Sequence, residues 1–190
     1  MFDASYLRSK LDAGKTYEDY VATGNPDQQS SWNKIYNEVT LNDAQENLIR
    51  SFTREMHVIG VSGIWCGDCV QQCPLIQRIA DANPEKIHLR WLDRDEHKDL
   101  AEQVKINEGM RVPTLIFAAE DDAFVSMYGD RTLTRYRAIA ARALGASCPL
   151  PGAPIPESEL AATMQDWLNE FERVQLLLRT SARLRQKHND

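Results

Sequence analysis

Four cysteines, Cys66, Cys69, Cys73 and Cys148, carry the most reactive chemistry available to this chain. The first two lie in Trp65-Cys66-Gly67-Asp68-Cys69, a C-x-x-C pair. Thiols at that spacing can cycle between dithiol and disulfide, or they can ligate a metal. The run Cys66-x2-Cys69-x3-Cys73-Pro74 overlaps the tail of an iron–sulfur cluster motif. That motif needs a further cysteine at position 63, where Gly63 stands, and no second set follows. A tetrahedral zinc would need a fourth ligand, and the nearest candidate, His57, begins the preceding strand rather than facing the cysteines. No metal and no cofactor is therefore expected. Redox chemistry is the stronger reading.

That chemistry depends on the elements that hold the pair. Upstream, His57-Val58-Ile59-Gly60-Val61-Ser62 is a short apolar, β-branched run that suits a buried strand. Downstream, Leu75, Ile76, Ile79 and Ala80 recur at helical spacing until Asn83-Pro84. Cys66 then falls between a strand and the first turn of a helix, where unpaired backbone N–H groups and the helix dipole favour a thiolate. Cys69 lies one turn further on and points back, placed to resolve a mixed disulfide formed on Cys66. Cys73 shares that helix face and reads as a small core residue with the option of an alternative bridge to Cys69. Cys148, in a proline-rich stretch, reads as a free thiol.

The chain has 190 residues, 22 Lys and Arg against 28 Asp and Glu, a net charge of −6, and 43% hydrophobic residues. Those proportions exclude a disordered, collagenous or low-complexity chain. The acidic balance argues against nucleic acid as a partner. No apolar run reaches the roughly 18 to 20 residues of a membrane span, and residues 1–14 contain no apolar core of a signal peptide. With cysteines too few for a disulfide scaffold, a reducing cytoplasmic address is expected.

Further elements follow in order. Residues 42–55 read as a helix, Ile87-His88-Leu89-Arg90-Trp91-Leu92 as a strand, and residues 96–107 as a helix opened by Asp93–Asp95 and ended at Gly109. Arg111-Val112-Pro113-Thr114-Leu115-Ile116-Phe117 places a proline at the start of an apolar strand, where its missing N–H does no harm. Glu120-Asp121-Asp122 turns the chain into a hairpin partner, Phe124 to Tyr128, ended by Gly129. Residues 131–145 read as a helix with Leu133, Tyr136, Ile139, Ala140 and Leu144 on one face.

Over about residues 42–145 this pattern resembles the thioredoxin family. The resemblance rests on Trp65-Cys66-Gly67-x-Cys69, on Pro74 five residues after Cys69, on Val112-Pro113-Thr114, and on Gly129 sixteen residues after Pro113. It implies an α/β thioredoxin fold, a central mixed sheet flanked by helices. It also implies that Pro113 follows a cis peptide beside the redox pair, that Val112 offers its backbone to an extended substrate, and that Trp65 shapes the same surface. The Gly-Asp dipeptide and Gly129-Asp130-Arg131 are similar to a bacterial thioredoxin-like branch whose members do not all keep the second cysteine. Two departures matter. The family carries a buried acid six residues before its first cysteine, where Gly60 stands here, and Asp68 replaces the usual proline. Asp68 can supply part of the missing acid's role, or it is a first-turn acid complementing the helix dipole. In either case its charge opposes a thiolate on Cys66.

Residues 1–41 read as a helical extension of two or three short helices, broken at Gly24-Asn25-Pro26, that packs on the core or covers the site. Residues 146–156 form a proline-rich linker. Residues 157–190 form a helix over about 158–186, apolar on one face, acidic first and basic last. Its expected neighbour is its own chain, the alternative being a homodimer or protein partner. The expected function is thiol–disulfide exchange on protein disulfides, reset by an external thiol reductant. The alternative is a thioredoxin-fold binding or redox-sensing module with little turnover.

Overall fold

The computed structural model describes residues 2–144 and 158–190. Cys148 and the proline-rich linker lie outside them.

The chain opens with α1 (Ala4–Ala13), α2 (Tyr17–Val21) and α3 (Pro26–Glu38), each started by a side-chain cap, from Asp3, Thr16 and Asn25. The Gly24-Asn25-Pro26 break is itself a capping device. Asn25 and Gln28 each accept the other's backbone N–H, and Pro26 occupies the first helical position, where no N–H is needed. Helix α4 (Asp43–Arg50) is capped in the same way by Asn42 and Gln45. It stops five residues short of the expected end because Phe52 and Arg54 turn inward on the way to the sheet.

Strand β1 (Met56–Ser62) is buried along its whole length, which accounts for its unbroken apolar run. Helix α5 (Gly67–Asp81) then crosses to β2 (Ile87–Asp93), parallel to β1. The helix expected over 96–107 shrinks to α6 (Lys98–Ala101). Asn107 and Glu108 take left-handed backbone angles, φ 48° and 61°, and Ile106 and Gly109 bridge to each other, which turns the chain back toward the sheet. Strand β3 (Thr114–Ala119) pairs antiparallel with the other edge of β1, and β4 (Phe124–Gly129) pairs antiparallel with β3. The sheet order is β2-β1-β3-β4. Mixed pairing with helices packed against it gives the expected α/β thioredoxin fold.

Helix α7 (Leu133–Ala143) packs with a different face from the one its apolar residues suggest. Thr134, Arg135 and Ala138 are buried, whereas Leu133, Tyr136 and Leu144 are exposed. Polar anchoring overrides hydrophobic patterning here: the Thr134 N–H donates to Asp166, and Arg135 reaches the redox helix. The C-terminal segment is two helices, α8 (Glu159–Thr180) and α9 (Ala182–His188), rather than one. Ser181 ends the first and caps the second by accepting the Leu184 N–H. Helix α8 lies on its own chain, burying Trp167, Leu168, Phe171, Val174 and Leu178. Among the described residues no helix is long and apolar enough to cross a membrane.

Candidate redox site

Cys66 is the N-cap residue of α5, in extended conformation (φ −84°, ψ 123°), with no side-chain cap of its own. Its N–H donates to Gly63 O at 2.9 Å, closing the turn from β1, and its C=O accepts from Val70 N–H at 3.0 Å. The sulfur is half-buried and sits 3.8 Å from the Val112 carbonyl oxygen, within reach of a weak S–H···O contact. Cys69, one turn into the helix, is fully buried. Cys66, Cys69 and Cys73 are free thiols. Trp65 leaves 49% of its surface open, and the Arg94 guanidinium lies 4.5 Å over its ring. The Val112–Pro113 peptide is cis. Gly129 backs that loop closely: a Cβ there would lie 2.5 Å from Pro113 O and 2.9 Å from Thr114 Cα, a space only glycine leaves free. Cys66, Cys69, Trp65, Val112 and Pro113 thus converge at the C-terminal end of β1 and the start of α5.

Asp68 does not stand alone beside the cysteines. Its carboxylate accepts from Arg131 at 2.5 Å and from Arg135 at 2.9 Å. Arg135, buried in α7, also pairs with Glu159 at the start of α8 at 2.5 Å and donates to Gln71. Arg131 pairs with buried Asp130 at 3.2 Å, and Asp130 in turn takes a hydrogen bond from Tyr136 and the Arg111 guanidinium at 3.4 Å. Burial alone would raise Asp68, but the two arginine contacts outweigh it and hold its carboxyl below the usual range. The charge expected to oppose a Cys66 thiolate is therefore matched by two cations.

A family model described as thioredoxin matches residues 14–140, about two thirds of the chain. The chain belongs to the thioredoxin family. The match takes in α2, α3 and α4 as well as the sheet. A protein of unknown function from Pseudomonas aeruginosa shares the fold at 13% identity, with TM-score 0.68 and coverage of 91% of this chain and 96% of that one. An HIV epitope-scaffold does so at 14% identity and TM-score 0.64, covering 92% and 98%. The oxidised mitochondrial thioredoxin 3 of Saccharomyces cerevisiae matches at 23% identity and TM-score 0.34, over 50% of this chain and 86% of its own. No curated protein matches the sequence.

The departures from the thioredoxin pattern now have physical causes. Gly60, at the family's acid position, pairs with Trp91 of β2, whose ring lies 2.5 Å from where a Cβ would be. The indole fills the space a carboxylate would need, and its N–H is satisfied by Gln77 at 2.9 Å. The polar groups behind the pair are instead Ser62, 3.4 Å from the Cys73 sulfur, and the buried Tyr20 hydroxyl from α2. Burial pushes the Cys69 thiol well up, with Cys73 adding to the rise and Cys66 and Ser62 opposing it. Cys66 is raised by its contact with the Cys69 sulfur and then by burial, against the lowering effect of the Cys69 and Asp68 backbone N–H groups. His57, weighed as a zinc ligand, lies at the far end of β1 with Nδ1 2.6 Å from Asp122.

Two residues of this candidate site, Arg135 and Tyr136, carry no local signal of that role in the sequence. Arg135 is 67 positions from Asp68, a separation that no local pattern bridges. Arg131 was visible only as part of Gly129-Asp130-Arg131.

Proposed function

We propose that the protein is a thiol–disulfide oxidoreductase acting on protein disulfides through Cys66 and Cys69, in a reducing compartment such as the cytoplasm. The observation that carries this reading is the placement of a half-buried thiol at a helix N-terminus, between exposed Trp65 and the Val112–Pro113 loop, with a second thiol one turn beneath.

In the forward direction the Cys66 thiolate attacks one sulfur of a substrate disulfide. A Cys66–substrate disulfide forms, the substrate S–S bond breaks, and the departing sulfur takes up a proton. Cys69 then loses its proton and attacks the Cys66 sulfur, which expels the second substrate thiol and leaves a Cys66–Cys69 disulfide. Two electrons and two protons have passed to the substrate, and an external dithiol reverses the oxidation of the pair. Val112 presents its backbone to an extended substrate segment, and Trp65 and Pro113 border it. Insulin disulfide reduction with a dithiol reductant tests this. Cys66→Ser should reduce the rate to background, and an unchanged rate in that variant overturns the reading.

A second reading, a binding or redox-sensing module with little turnover, is favoured by the burial of the pair: Cys69 is fully buried and Cys66 half-buried, which disfavours the thiolates that attack needs. Wild-type protein that forms the Cys66–Cys69 bridge yet reduces insulin no faster than the reductant alone would select it.

A further inference from the structure

Asp68 occupies the second helical position of α5, two residues from Cys66 and one from Cys69. A carboxylate in a redox dipeptide destabilises a neighbouring thiolate. Two cations from one short segment meet it. Arg131 lies between β4 and α7, Arg135 lies on the first turns of α7, and both place a terminal guanidinium nitrogen on the Asp68 oxygens, at 2.5 and 2.9 Å. Neither arginine is a loose surface charge. The Arg135 side chain is 10% exposed, and the Nε of each arginine is buried without a partner. A long side chain held with an unsatisfied donor is costly, and Asp68 is the partner the two share.

We propose that Arg131 and Arg135 are positioning residues for the redox pair: they fix the Asp68 carboxylate and cancel its charge, so that Cys66 can form a thiolate next to an acid. This rests on Cys66 as the attacking thiol. The charged and titratable groups that contact Asp68, Cys66, Trp65 or the partners of Asp68 fall into three sets. On α5 there are Cys69 and Asp68. From the loops around the sheet come Arg94, Arg111, Asp130 and Arg131. From α7 and α8 come Arg135, Tyr136 and Glu159. Asp130 and Glu159 each take part of one arginine's charge, so the two arginines offset the ionised Asp68 carboxylate without leaving a large positive excess. The 131–135 segment thereby couples the chemistry of Cys66 to the packing of α7 on α8.

The test is the pH dependence of Cys66 alkylation by iodoacetamide in the reduced full-length protein, read on the Cys66 peptide by mass spectrometry. Alkylation needs no disulfide substrate, so it reports on the clamp even if the protein proves to have no turnover. In Arg131→Gln/Arg135→Gln the freed carboxylate should move the Cys66 titration up by about 0.5 to 1 unit, a rate loss of roughly three- to tenfold at fixed pH. Asp68→Asn, nearly isosteric and the least disruptive to folding, should move it down. The triple variant should return close to wild type. Arg131→Lys/Arg135→Lys, which keeps the charge but not the fork, should restore the titration even where stability falls. The proposal is overturned if Asp68→Asn and the glutamine variant titrate as wild type does, or if both shift Cys66 in the same direction. Either result would make the arginines a structural strut.

Discussion

Asp68 ties the proposed redox chemistry to stability. Its carboxyl lies below the ordinary 3.8 because hydrogen bonds from Arg131 and Arg135 outweigh the burial that would raise it. A depressed folded-state value gives a definite sign. The ion pairs contribute fully above the unfolded value near 3.8, and their contribution is lost as pH falls through the lower folded value. Urea unfolding of wild type should therefore lose stability on acidification below about pH 4 more steeply than Asp68→Asn does. Parallel pH profiles for the two proteins would remove the linkage. Cys69 carries the complementary lesson. Trp91 fills the space beside Gly60 where the family's acid would stand, and the buried Cys69 thiol is faced by Cys73, which raises it, and by Ser62, which opposes the rise.

At the level of elements, the C-terminal helix forms part of the core. Trp167 of α8 is fully buried, donates from Nε1 to Gln72 of α5 at 3.2 Å, and meets Tyr128 of β4 edge-on at 5.1 Å between centroids. Gln72 passes the contact on, donating to Asp130 O at 3.0 Å. Trp167→Ala removes a large buried side chain and leaves Gln72 short of a partner, so a loss of about 3 to 5 kcal/mol in denaturant stability is expected. A loss below about 1 kcal/mol would mean that α8 is only loosely docked. The same elements separate what sequence could reveal from what it could not. The Cys66–Cys69 helix, β1 and the β3–β4 hairpin were legible, because their signals are local: periodicity, a proline at a strand start, a glycine at its end. Helix α6 was overestimated, because the left-handed residues Asn107 and Glu108 that cut it short are neither glycine nor proline. The face of α7 was misjudged, because Arg135 is buried by a partner 67 positions away, and no period in the helix encodes that. Ser181 carried a readable cap signal, but the continuous amphipathic pattern masked it.

Across the whole molecule, the N-terminal helices are integrated with the site. Trp32 of α3 is fully buried and donates to Ile64 O at 3.1 Å, in the loop that delivers Cys66. Arg78 of α5 donates twice to Tyr36 O, at 2.9 and 2.7 Å, and Tyr20 packs on Trp91, the residue that replaces the acid. A chain beginning at residue 42 would expose Trp91, Ile64 and the back of α5 to water. Such a truncation should lose the cooperative unfolding transition of the full chain, followed by near-ultraviolet circular dichroism. A sharp native transition in that fragment would show that residues 1–41 are an appendage.

The proposed chemistry turns on one covalent event, the resolution of a Cys66 mixed disulfide by Cys69. Reduced Cys69→Ser protein exposed to a disulfide substrate should accumulate a mixed disulfide mapped by peptide mass spectrometry to Cys66. Wild type under the same conditions should release the substrate and hold a Cys66–Cys69 bridge. Adducts that map to another cysteine, or a wild-type bridge that joins Cys69 to Cys73 while Cys66 stays free, would contradict it.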